Sequence, residues 1–189
     1  MDPQALKLKF LALSAEVHPD RVHQGTEPER QAAQRRYLQL NEAYQCLRQE
    51  KTRLAHLLEL ELGAKPSELQ RIPPALMERS LEISRLCREA DVLLGQKAGV
   101  TSPLLKVQFF ERSQLETEKL LGLQRQLNRW DADLLNELKQ IDTTWAATSQ
   151  SGSPERAATL ERLERLYRLF GYSTRWSAQV QERIVQLSF

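Results

Sequence analysis

Apolar positions recur along this chain with the period of a helix almost from end to end. After Asp2-Pro3, an N-cap followed by proline at the first helical position, Leu6, Phe10, Leu13 and Val17 fall at intervals of three and four. This stripe predicts one helix that ends near Val17, because the residue before Pro19 is pushed out of the α region. Leu8 and Leu11 fall off the stripe and are expected to be exposed unless something covers them. Thr26-Glu27-Pro28-Glu29 has the form of a capping box and opens a second helix with Ala33, Tyr37, Leu40, Tyr44 and Leu47 on its inner face. Two antiparallel helices joined by a loop follow from this reading, and a shorter helix carrying Leu54, Leu57 and Leu58 closes the pair.

The stretch "LGAKPSELQRIPPAL" concentrates Gly, Pro and Ser and predicts a boundary: residues 1–62 form one unit, 63–73 a linker and 74–189 a second unit. The second unit reads as three long helices. One starts at Pro74 and carries Met77, Ile83, Leu86, Ala90 and Leu93. Ser102-Pro103 opens the next, with Leu120, Leu123, Leu127, Trp130, Leu134, Leu138, Ile141 and Trp145 alternating at three and four. Ser153-Pro154 opens the last, with Leu160, Leu163, Tyr167, Phe170, Val180, Ile184 and Leu187. Strand signals are nearly absent, so the fold class is all-α, the second unit being a three-helix bundle.

Charge narrows the function classes. With 27 Lys and Arg against 25 Asp and Glu, a formal net charge of +2, the chain as a whole is too balanced to grip nucleic acid or an anionic membrane, and neither is expected as a partner. Cys46 and Cys87 lie far apart and outside any CxxC pair, which argues against zinc or a disulfide framework. Both are expected to pack in apolar surroundings, in a reducing compartment. No run approaches the ~20 apolar residues of a membrane span and the N-terminus lacks a signal-peptide layout, so a cytoplasmic location is expected, and the protein is expected to be a monomer.

The chemistry concentrates in His18-Pro19-Asp20, in the loop between the first two helices. Three readings of that tripeptide exist at the level of residue types: an acid–base pair, a metal site in which His23 joins His18 and Asp20, and a turn in which Asp20 bonds nearby amides. The chain offers no third catalytic group, no further ligand spacing and no Gly-rich phosphate loop to support the first two. Helix, loop, capped helix and then "LQLNEAYQCLRQEKTRLAHLL" is the context in which the tripeptide has another meaning. With Asn41-Glu42-Ala43-Tyr44, Leu47 and Arg53, the arrangement resembles the J-domain of DnaJ-type co-chaperones, which bind DnaK-type chaperones and stimulate their ATP hydrolysis.

Leu40-Asn41-Glu42-Ala43, Leu47-Arg48, Arg53-Leu54-Ala55 and Leu57-Leu58, together with "DPQALKLKFLALSAEVHPDR", are similar to the HscB (Jac) type of J-protein, which serves iron–sulfur cluster biogenesis. The resemblance covers about the first third of the chain by motif and the rest by architecture. It implies a non-enzymatic co-chaperone without a cofactor, whose His18, Pro19, Asp20, Lys7, Lys9 and Arg21 engage an HscA-like, DnaK-type chaperone. It implies as a second partner an IscU-like iron–sulfur cluster scaffold protein. The short helix that usually opens a J-domain is not found before Pro3. In the second unit Leu76-Met77-Glu78 matches the start of the family's first bundle helix, and "FGYSTRW" places Tyr172 at its contacting aromatic. Leu76, Met77, Ile83 and Tyr172 are accordingly expected to form an apolar patch for the scaffold. Leu81-Glu82 stand one position late, a shift that rotates a helical face by ~100°, and are not carried over. The alternative is a general J-protein or helical adaptor with other clients.

Overall fold

The computed structural model describes residues 2–18, 20, 25–66, 72–97, 102–147 and 153–188. Among them the fold is all-α, with six helices, a 3-10 turn at Pro74–Leu76 and no strand. None of these helices is long and apolar enough to cross a membrane. The chain divides into two compact units, Met1–Pro66 and Ser67–Phe189.

In the first unit, α1 (Pro3–Glu16), α2 (Glu27–Arg48) and α3 (Glu50–Leu62) start and stop where local chemistry directs. The Asp2 carboxylate accepts from the Gln4 N–H at 2.9 Å ahead of Pro3. The Glu29 carboxylate accepts from the Thr26 N–H at 2.7 Å and its hydroxyl at 2.9 Å, the reach-back of a capping box. Helix α3 ends on Gly63, whose φ of 72° suits a residue without Cβ and whose N–H donates to the Glu59 carbonyl at 3.0 Å.

Burial in this unit is shallow. Neither α1 nor α2 contains a buried residue, and in α3 only Leu54 and Leu58 are buried. The inner positions Ala33, Tyr37, Leu40, Tyr44 and Leu47 are all half-buried. On α1 the half-buried positions are Leu6, Phe10 and Ser14, so Leu13, expected inside, is exposed. At this point of the stripe the i+3 and i+4 positions compete for the inner face, and the i+4 one takes it. Leu8 and Leu11 are exposed, as the wheel predicts. Cys46 is half-buried rather than buried, since α2 has no fully enclosed face; its Sγ lies 3.7 Å from the Thr52 carbonyl.

In the second unit the turn Pro74–Leu76 leads into α4 (Met77–Lys97), followed by α5 (Pro103–Ala147) and α6 (Pro154–Ser188). All three helices pack on one another, consecutive ones antiparallel: Lys119 reaches back to Glu89, and the Arg165 guanidinium to Glu137. Ile83, Leu86, Cys87, Ala90 and Leu93 of α4 meet Leu120, Leu123 and Leu127 of α5 and Trp176, Val180, Ile184 and Leu187 of α6 in one core. At about 1.5 Å per residue, α5 with its 45 residues is roughly twice as long as α4 with 21. The bundle is therefore three helices thick only along part of its length. Past Trp130 on α5 and Tyr172 on α6 the two helices continue as a pair, burying Leu134, Ile141, Leu163, Leu166, Tyr167 and Phe170. Leu138, Trp145 and Leu160 on this stretch are half-buried.

Candidate functional site: the turn between α1 and α2

Two aromatic contacts set the register of the α1–α2 hairpin. Phe10 stacks on Tyr44 with ring centroids 4.1 Å apart and planes 14° from parallel, and His18 meets Tyr37 edge-on at 5.2 Å and 75°. Advancing from residue 10 to 18 on one side returns from 44 to 37 on the other, as an antiparallel pair requires. Tyr37 is thus a platform that locates the His18 ring at the mouth of the turn. Residue types alone did not single it out for this, although its place among the inner positions of α2 was the available signal.

The His18 side chain is 42% exposed and that of Asp20 is 89% exposed. The Asp20 N–H donates to His18 Nδ1 at 3.3 Å, while the Asp20 carboxylate lies 3.4 Å from the same nitrogen. One nitrogen cannot serve both. When Nδ1 accepts from the backbone, Nε2 carries the ring proton and is a donor; when Nδ1 is protonated, it turns to the carboxylate instead. In the accepting form, the turn offers a partner an imidazole N–H and an exposed carboxylate a few ångströms apart, a donor and a charged acceptor on a short span. Pro19, Arg21 and His23 lie outside the described residues. Among the described residues no group of three or more His, Cys, Asp or Glu side chains is placed to hold a metal ion.

Lys7 and Lys9 are both exposed on α1. Two positions along a helix turns the side chain by ~200°, so they flank the Leu6–Phe10 face on opposite sides and do not form one basic face. At the far end of α2, the motif residues have a structural task. Thr52 Oγ1 donates to the Cys46 carbonyl at 2.6 Å and Arg53 Nη1 to that of Leu47 at 2.9 Å, satisfying carbonyls that the end of α2 leaves open. Asn41 Nδ2 donates to the Tyr37 carbonyl at 2.8 Å, on the turn of helix that carries the platform. These three side chains brace the corner and the helix that hold Tyr37 under His18.

The apolar patch expected in the second unit requires correction. Leu76 is 8%, Ile83 1% and Tyr172 6% exposed, and all three belong to the bundle core; Met77 alone, at 46%, offers its surface. Leu76 closes the 3-10 turn, its N–H donating to the Pro73 carbonyl at 2.9 Å. Ile83 sits on the inner stripe of α4. Tyr172 lies against Trp176 with ring centroids 5.4 Å apart, and Trp176 lies 5.8 Å from Trp130, over which the Arg79 guanidinium sits at 4.4 Å. A large aromatic face is stabilised more by this cluster than by water, which is why the position turns inward. No family model matches the chain, and no solved structure matches it significantly.

Proposed function

We propose that the protein is a J-domain co-chaperone of the HscB type, which stimulates the ATPase of a DnaK-type, HscA-like chaperone in the cytoplasm and brings an IscU-like cluster scaffold to it. The support for this reading is His18 held edge-on against Tyr37 at the tip of an antiparallel hairpin, beside an exposed Asp20 carboxylate. A donor and an acceptor presented on a braced frame lose little freedom on binding, so their interaction energy can go into shifting the partner between its conformational states. Bond-making and bond-breaking then occur in the chaperone and not in this chain. His18→Gln should abolish stimulation of a DnaK-type ATPase in a steady-state assay while costing no more than about 1.5 kcal/mol of stability by circular dichroism, the worth of its edge-on contact with Tyr37. Stimulation equal to wild type would discard the reading.

A second reading draws on the burial of Leu76, Ile83 and Tyr172, which takes from the surface the side chains that linked the bundle to a cluster scaffold. It makes the protein a general J-protein or helical adaptor whose bundle receives other clients. Calorimetric titration with an IscU-like scaffold separates the two: saturable binding favours the first reading, and its absence beside intact ATPase stimulation favours the second.

A further inference from the structure

Along α4, Leu81, Arg85, Arg88 and Val92 succeed one another at intervals of four, three and four, one stripe on the outer side of the helix. Arg112, Leu115 and Lys119 make the facing stripe on α5. The two stripes border a groove of about 860 Å³ with Leu93 at its base. Leu81, Val92 and Leu115 are each more than half exposed, an apolar surface that the bundle core does not use. The antiparallel crossing is pinned at two points: Arg112 Nη1 donates to Gln96 Oε1 at 3.1 Å, and Lys119 Nζ lies 3.6 Å from Glu89.

The charge of the groove is uneven. Four cations line it against two carboxylates, Glu89 and Glu116. Lys119 is engaged by Glu116 at 2.9 Å, and Arg85 by Glu89 at 2.7 Å. Hydrogen bonding to Glu116 holds the Lys119 ammonium above its ordinary pKa, so this cation keeps its charge. Arg88 and Arg112 make no ion pair among the described residues, and the contact of Arg112 is to a neutral amide. The excess positive charge therefore sits on two guanidiniums, one on each wall. Arg112 is level with Gln96, eight residues beyond Arg88, so the two are separated along the groove by about 12 Å of helix.

We infer that this groove docks an acidic amphipathic helix of a partner protein, its apolar face on Leu81, Val92 and Leu115 and two carboxylates about two turns apart on Arg88 and Arg112. Guanidinium forks suit such carboxylates, and Leu81 and the Val92–Leu115 pair, eleven residues or about 16 Å apart along α4, suit anchors at i and i+11 of a helix lying between the walls. Nucleic acid fits less well, because among the described residues no aromatic side chain lines the groove to stack a base, and Glu89 and Glu116 oppose phosphate. The inference stands apart from the HPD turn, which belongs to the other unit.

The test is fluorescence anisotropy of the full chain with a capped helical peptide of about 18 residues, Leu at the anchor spacing and Glu beside it, and with its twin carrying Lys for every Glu. The acidic peptide should bind at least tenfold more tightly than the basic twin. In Arg88→Glu/Arg112→Glu that preference should invert, because the repulsion changes sign with the charge. His18→Gln should bind the acidic peptide as wild type does. Leu115→Ser, at an exposed position, should weaken it severalfold, which keeps the test alive should the charge-reversed protein not fold. Equal affinity for both peptides overturns the inference, as does an unchanged preference in the folded reversal variant. So does tighter binding of a single-stranded oligonucleotide or of phosphatidylserine vesicles at the same residues, or a two-chain mass in sedimentation that the reversal reduces to one.

Discussion

Helices α1 and α2 bury none of their side chains, whereas α4, α5 and α6 share a core that runs from Leu76 to Leu187 and includes Leu120, Leu127 and Val180 at 2% exposure or less. The hairpin is held by a few contacts of specific geometry: Phe10 on Tyr44, His18 on Tyr37, and caps at its corners. Area is what holds the bundle, since each fully buried aliphatic side chain contributes ~1.5–3 kcal/mol. The difference suits two tasks. A hairpin with little core can keep its tip in solvent for a partner, while a bundle with a continuous core can fix the spacing of charges on its surface.

The largest expected effect tests the contrast directly. Leu120→Ala should cost ~2–5 kcal/mol in denaturant unfolding, as the loss of a fully enclosed Leu does, whereas Leu8→Ala on α1 should stay within ~0.5 kcal/mol. Similar costs at the two sites would erase the distinction between the units. Next in size is the stacked pair. A double-mutant cycle on Phe10→Ala and Tyr44→Ala should return a coupling of ~0.5–1.5 kcal/mol, and strict additivity would mean that stacking does not hold the hairpin.

The smallest effect is one of pH, at the start of α2. Hydrogen bonding to the Thr26 backbone, followed by that to its hydroxyl, lowers the Glu29 pKa below its ordinary value. A depressed carboxylate contributes stability that is present above its unfolded pKa and is lost as pH falls through the lower, folded one. Acidification below about pH 4 should therefore fray the first turn of α2, seen as a lower protection of the Thr26 amide relative to its intrinsic exchange rate at the same pH, with little salt dependence. Glu29→Gln should remove this pH dependence; if it persists unchanged, the capping box is not its source.

Where four of the six described helices begin was legible in the sequence, because the signals are local; α4, expected from Pro74, begins at Met77 after a 3-10 turn. Asp2-Pro3, Thr26 with Glu29, Ser102-Pro103 and Ser153-Pro154 each act within a few residues, and the helices start at Pro3, Glu27, Pro103 and Pro154. Arg53 was noticed as part of a motif, but its role at the carbonyl end of α2 depends on how α3 turns away at Gln49, a matter of geometry beyond the spacing. The platform under His18 was half legible for the same reason: Tyr37 was on the inner face, yet what it faces depends on the register of a second helix.

The order of helices, the all-α class and most of the inner stripe of each were determined by the sequence alone, because a 3.6-residue period and its caps are properties of one stretch of chain. Which apolar residues end inside was decided by the tertiary structure. Leu76, Ile83 and Tyr172 carry the same residue types whether they cap a core or face a partner, and only the arrival of Trp176 and of the facing stripes of α5 and α6 encloses them. The same packing sets Arg88 and Arg112, twenty-four positions apart in sequence, on the two walls of one groove. Periodicity assigns a side chain to a face of its own helix, and contact with a second helix determines what that face meets.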